Sequence, residues 1–330
     1  MGFLFFGRRI GASLGLSSRP GAGRPGRTTT SGAQRDEMLT FDLHYHTNIH
    51  QMPGMQRRFR LRTISRTLAD SGLDFLASTE HSYKKPLDAY LYLADAAAGG
   101  HTRIIPGVET VTCEGIDLIF LFRDEEQMRL AGRDIVSFKR SVRDVKQIAQ
   151  ATGAISIIPH PFHICRSAAG NALSRRAYSQ LLRSCDYVEI HNGSALTMDK
   201  RLSTSRTLPL FRKTADKLRR TIDLPMKDRG KGLGWAVGSD AHYPGEQFIV
   251  GRTDAPMLKG EHVHDFLKRR IRFQTHELLK PATDNSVNNY RLLRSLQSAL
   301  KEGARKELIK ARARAALVAS AMVCSGLSSG

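Results

Sequence analysis

Two imidazoles stand at i and i+2 in the run Phe41-Asp42-Leu43-His44-Tyr45-His46-Thr47. On a strand, His44 and His46 leave the same face. Two neutral ring nitrogens so placed can hold one metal ion. A His-x-His pair also arises by chance, so its meaning depends on what other segments supply. Glu80 and His81 follow the run from Asp74 to Thr79, and Glu109 follows Ile104-Ile105-Pro106-Gly107-Val108. His160 follows the run from Ala154 to Pro159, and Glu189 and His191 close the run that begins at Asp186. Asp240 and His242 come after Trp235-Ala236-Val237-Gly238-Ser239. These are the residue types that bind divalent cations through nitrogen and oxygen.

The elements that must position them can be read from periodicity. Short apolar, β-rich runs recur at 39–44, 74–78, 104–108, 117–122, 154–159, 186–190 and 234–238. Helical spacing fills 60–71, 86–98, 133–151, 173–183, 206–220 and 261–270. This alternation predicts a mostly parallel sheet covered by helices. Seven such units would close into a barrel, whose functional groups gather at the C-terminal strand ends. Each polar residue named above lies at such an end. A histidine serving only the core or a solvated surface has no reason to prefer that place.

Composition bounds the rest. A hydrophobic fraction of 41% and a charged fraction of 25% are those of a globular protein, and net charge is +20. Residues 1–35 carry six Arg and no acid, and residues 285–330 carry eight Lys or Arg against two Glu. The remaining basic surplus suits an anionic substrate such as a phosphate ester, or a nucleic acid, or is simply a solvated surface. Cys113, Cys165, Cys185 and Cys324 show no C-x-x-C spacing and read as reduced, small core residues. No run approaches the roughly 18 apolar residues that span a bilayer. Residues 1–37 form a basic leader, similar to an organelle transit peptide or to translated sequence upstream of Met38; the second reading places the protein in the cytoplasm. Residues 38–275 form the barrel domain, and 276–330 a basic helical extension with Leu293, Leu296 and Leu300 at helical spacing.

Five motifs, His44-x-His46-Thr47, Thr79-Glu80-His81, Gly107-Val108-Glu109, His160-Pro161 and Ser239-Asp240-Ala241-His242, occur in one order. In that order the chain resembles the PHP (polymerase and histidinol phosphatase) family of metal-dependent phosphoesterases over roughly residues 39–255. The resemblance implies an α/β fold, a distorted (β/α)7 TIM-like barrel with two or three divalent ions, Zn, Mn or Fe. It assigns His44, His46, Glu109 and Asp240 to a first ion, with Glu109 bridging to a second held by His160 and His191. His81, His242 and His50 would hold a third. Hydroxide on such ions would attack phosphorus, with Asp240 and His242 as catalytic residues and the leaving oxygen protonated by water or His242. The chain departs from the family where Glu80 replaces an Asp, where residues 110–159 lack histidine, and in the register of His191 and the loop around His50.

Arg58, among the arginines that open the predicted helix at 60–71, and Arg166, after His160-Pro161, are candidates to contact substrate phosphate. His163 and the Arg229-Gly230-Lys231-Gly232 turn have ordinary structural readings beside functional ones. The leading function is hydrolysis of small phosphate monoesters, nucleotides among them. A nuclease acting on polynucleotides, favoured by the basic tails, and a non-catalytic scaffold are the alternatives. Substrate identity and oligomeric state are not legible in the sequence.

Overall fold

A computed structural model describes residues 38–278 apart from 51, 166, 197–198, 200–211, 229–231, 243–245 and 248, together with 304, 307–309 and 311. The leader, Arg166, Cys324, the Arg229-Gly230-Lys231 turn and nearly all of the basic tail lie outside the described residues.

Among the described residues, nine strands carry the fold: β1 (Leu39–Tyr45), β2 (Phe75–Ser78), β3 (Arg103–Val111), β4 (Asp117–Leu121), β5 (Ile155–Ile158), β6 (Tyr187–Asn192), β7 (Gly234–Gly238), β8 (Ile249–Thr253) and β9 (Gln274–Glu277). The first seven match the seven runs read from the sequence. The helices are α1 (Gly54–Ser71), α2 (Pro86–Ala97), α3 (Glu125–Gly132), α4 (Val142–Thr152), α5 (Ala169–Ala172), α6 (Arg175–Leu182), α7 (Arg212–Thr221) and α8 (Val263–Lys268). The helical spacing at 133–151 yields one helix, α4, over its second half, and α3 at Glu125–Gly132 was not expected. Asp124 caps α3 by accepting from the Gln127 amide, and Ser141 with Asp144 forms a capping box that starts α4.

One sheet runs in the order β7-β6-β5-β4-β3-β2-β1-β8-β9. The pairs β1–β2, β2–β3, β5–β6 and β6–β7 are parallel. Against the expectation of a mostly parallel sheet, β3–β4, β4–β5, β1–β8 and β8–β9 are antiparallel. Thr112–Ile116 is too short to carry a crossover, so β4 must turn back along β3. β8 and β9 were not expected, and β9 runs across the anticipated domain boundary at 275.

The sheet curls until β7 meets β1. The Asp240 amide donates to the His44 carbonyl at 2.7 Å and the His46 amide to the Ala241 carbonyl at 3.1 Å. Buried Asp42 strengthens this seam: its carboxylate accepts from the amides of Ser239 (2.9 Å) and His44 (3.2 Å) and from Gln247 (2.6 Å). The result is a nearly closed, distorted barrel. At the start of β1, Phe41 stacks on Phe75 with ring centroids 4.5 Å apart and packs on Phe266 and Phe273. Three residues on, the same strand carries His44. In the tail, the described Ile309 packs beside Val111 and Phe138.

Candidate metal centre

The candidate ligands stand in the strands or in the turns just after them. His44 and His46 flank the last residue of β1, with their Nε2 atoms 3.1 Å apart, and both rings are fully buried. His81 opens the turn after β2, Glu109 lies within β3, His160 follows β5, and Asp240 and His242 follow β7. Glu109 is the hub. Its Oε2 lies 2.7 Å from His81 Nδ1, 3.4 Å from His46 Nε2 and 3.9 Å from His44 Nε2, while Oε1 lies 3.4 Å from His160 Nε2. Asp240 Oδ1 stands 3.5 Å from His44 Nε2 and 3.4 Å from His46 Nε2.

His160 and Asp240 have positive φ, 28° and 49°. Non-glycine residues avoid that region, at roughly 1 kcal/mol or more. Two hydrogen bonds over-determine the geometry: the His160 amide donates to Glu189 Oε2 at 2.6 Å, and the Asp240 amide to the His44 carbonyl. The chain thus turns sharply at two strand ends and aims both side chains inward.

Donor atoms about 2.0–2.2 Å from a common ion lie roughly 3.0–3.5 Å from one another. The spacings among His44, His46 and Asp240 match that figure. Three further groups have ligand atoms within 4.8 Å of each other: His46, His81 and His242; His44, Glu109 and His160; and Asp117, His160 and Cys165. The donor set of imidazole nitrogen and carboxylate oxygen, buried and convergent, fits divalent metal ions.

The electrostatics are those of cation sites. Burial works against charge on His44, yet Asp240 and Glu189 outweigh it and raise its pKa well above the ordinary imidazole value. His160 is raised likewise, against its burial, by Cys165, Glu109 and Asp117. Despite burial, Glu109 and Asp240 are held well below the carboxylate range by the surrounding histidines. His242 goes the other way: burial and the charge of His46 push it down to about 4.

Not every expected residue joins. His191 donates or accepts at Thr275 Oγ1 (2.6 Å) and pairs with Asp223 (2.9 Å), away from the cluster. The reason is a register break in the β6–β7 pairing between Glu189 and His191. A regular strand would face both residues the same way, and a bulge re-aims one of them. It is Glu189 that turns inward, 3.2 Å from His44 Nδ1 and 3.1 Å from Asn192 Nδ2. His50 is half-buried in the loop after β1 and belongs to none of the four groups. Arg58 is exposed on α1.

Glu80 was singled out in the sequence, whereas Asp117, Cys165 and Lys84 were not read as part of the site. Glu80 lies 3.5 Å from His46 Nδ1 and accepts the Asn48 amide at 2.7 Å, orienting the imidazole from behind. Asp117 reaches the cluster only because β4 runs antiparallel. Cys165, expected in the core, stands 3.9 Å from His160 Nδ1; of the described cysteines, only Cys185 is buried. Buried Lys84 donates to Asn48 at 3.1 Å. Only Glu80, beside His81, carried a local signal.

Comparison with family models and with curated proteins returned no match. Among solved structures, the chain is similar to a two-domain protein containing a predicted PHP-like metal-dependent phosphoesterase from Bacteroides vulgatus. That likeness has 15% identity, covers 78% of this chain and 70% of the other, and has a TM-score of 0.46. PsfC from Pseudomonas syringae is similar at 16% identity, over 74% of this chain and 92% of the other, with a TM-score of 0.47. A lesion-specific endonuclease from Pyrococcus furiosus is similar at 14% identity, over 70% of this chain and 56% of its own, with a TM-score of 0.41.

Proposed function

We propose that this chain is a PHP-type, metal-dependent phosphoric ester hydrolase acting on small phosphate monoesters. The observation that carries the proposal is the convergence of His44, His46, His81, His160 and His242 on Glu109 and Asp240, buried and at ligand spacing. His44, His46 and Asp240 would hold one ion, His44 or Glu109 with His160 a second, and His46, His81 and His242 a third. Divalent ions bound there, Zn, Mn or Fe, would polarise phosphoryl oxygens and bring the pKa of water toward neutrality.

The chain's own groups do the rest. Glu109, with its two oxygens facing different histidines, keeps the two donor groups at a set separation. Asp240 turns Oδ1 to His44 and His46 while Asn192 holds Oδ2 at 3.2 Å, so it stays ionised and fixed in orientation. His242, 30% exposed at the mouth and neutral at pH 7, offers a nitrogen donor rather than a proton. Water therefore protonates the leaving oxygen.

A shallow depression lies beside His160, walled by Phe162, Leu218 and Pro225 with Asn192 at its polar edge. Free thiols at Cys113, Cys165 and Cys185 suit a reducing, cytoplasmic setting, and no described helix is long and apolar enough to cross a membrane.

The test is hydrolysis of an aryl phosphate by protein reconstituted with Zn or Mn. His44→Ala and Asp240→Ala should each lower kcat/KM by about 100-fold or more, with loss of bound metal by elemental analysis. Absence of turnover in the parent protein, or full turnover in both variants, would sink the proposal.

A further inference from the structure

Helix α1 is built against local preference. Its first turn has no acidic residue, Pro53 stands at the N-cap without a side-chain hydrogen bond, and arginines occupy positions 57, 58, 60, 62 and 66. Positive charge near a helix N-terminus opposes the helix dipole, and a missing cap leaves amides unsatisfied. A local rule broken in this way points to a use for the residues themselves.

The arginines divide by face. Arg60 is buried and donates to the His242 carbonyl, while Arg57 donates to the Met52 carbonyl at 3.2 Å and to Tyr92 Oη at 2.6 Å. These bonds pin the start of α1 to the rim of the metal centre. The opposite face is open. Met55 and Phe59 are 86% and 75% exposed, and Arg58, Arg62 and Arg66 are exposed beside them. Positions 55, 58, 59, 62 and 66 form one stripe at the helical period. Arg58, Arg62 and Arg66 recur every fourth residue, about 6 Å apart along the axis. Among the described residues, no ion pair engages these three.

We propose that this stripe is a docking surface for a single-stranded polynucleotide, which runs along the exposed face of α1 outside the metal centre. Three guanidinium groups in a row follow a phosphate backbone, and an exposed Phe and Met between them offer a face for unpaired bases. A duplex keeps its bases stacked on each other and makes no use of Phe59. A membrane-surface helix separates its apolar face from its basic flanks, whereas here the two interleave along one line. A second copy would set arginine against arginine. The +20 charge of the chain favours a polyanion by long-range attraction.

Fluorescence anisotropy of the full chain with labelled oligothymidylate and oligouridylate, in chelator so that no turnover occurs, tests the proposal. Both strands should bind, with affinity falling as salt rises. Arg62→Gln with Arg66→Gln should weaken binding about tenfold or more and flatten the log–log salt slope by about 1.4, two contacts at ~0.7 each. Phe59→Ser should weaken it roughly fivefold or more with the slope unchanged. Each variant should melt like the parent and keep its aryl phosphate turnover. Absence of binding at low salt, or binding that neither variant alters, would overturn the proposal. So would tighter binding to phosphatidylserine vesicles than to either strand, or a dimer in sedimentation that Phe59→Ser dissociates. Because the binding assay needs no metal, strand binding without aryl phosphate turnover sinks the hydrolase reading alone, and turnover without strand binding sinks this one alone.

Discussion

Glu189 and His191 make the sharpest contrast among single residues, because they share a strand and differ only in which side of a bulge they occupy. Glu189 anchors His44 Nδ1 and the His160 amide at once. Glu189→Gln keeps the shape and removes the charge, so metal affinity should fall about 10- to 100-fold in a competition titration, with the fold intact by circular dichroism. His191→Ala should leave metal content and turnover within about twofold of the parent. Equal effects in the two variants would mean that the bulge does not separate their roles. Protonation gives a second test. His44 and His160 have raised pKa values, so in the metal-free protein both hold their protons to higher pH than a free imidazole does. A metal ion must displace those protons. Affinity should therefore rise with pH through the neutral range, and calorimetry in buffers of different ionisation enthalpy should record net proton release on Zn or Mn binding. The sign would be wrong if uptake were seen.

Among the elements, the β1–β7 seam decides whether the donors meet. Gly238, the last residue of β7, lies so close to β1 that an added Cβ would stand 2.3 Å from His44 Cβ and 2.6 Å from Glu189 Oε1. Neither neighbour is free to give way, since His44 is buried and Glu189 is tied to two other groups. Gly238→Ala should therefore destabilise the protein by about 1–3 kcal/mol in urea unfolding and lower metal content in the folded fraction. The need at this position is for space, because Gly238 is not among the glycines with positive φ.

For the molecule as a whole, the centre joins segments that are distant in sequence, from His44 to His242, and so couples metal binding to the stability of the barrel. An ion bound only by the folded state stabilises it by mass action, about 2.7 kcal/mol at 100 times its Kd. For a domain of this size that corresponds to a rise in Tm of roughly 5–10 °C. Thermal melts with Mn or Zn and with chelator should show this shift and its reversal. An unchanged Tm would mean that the cluster does not bind metal tightly in the native state.

The sequence by itself determined the seven first strands and the strand ends as the place where His44, His46, His81, Glu109, His160, Asp240 and His242 gather. These are legible because side-chain periodicity and strand termini are local properties, set by neighbours a few residues apart. The tertiary structure alone decided the antiparallel course of β4, the pairing of β8 and β9, the inward turn of Glu189 in place of His191, and the approach of Asp117 and Cys165 to His160. Each depends on cross-strand register. A bulge of one residue leaves the pattern of apolar and polar positions almost unchanged while it reverses the face on which a side chain stands.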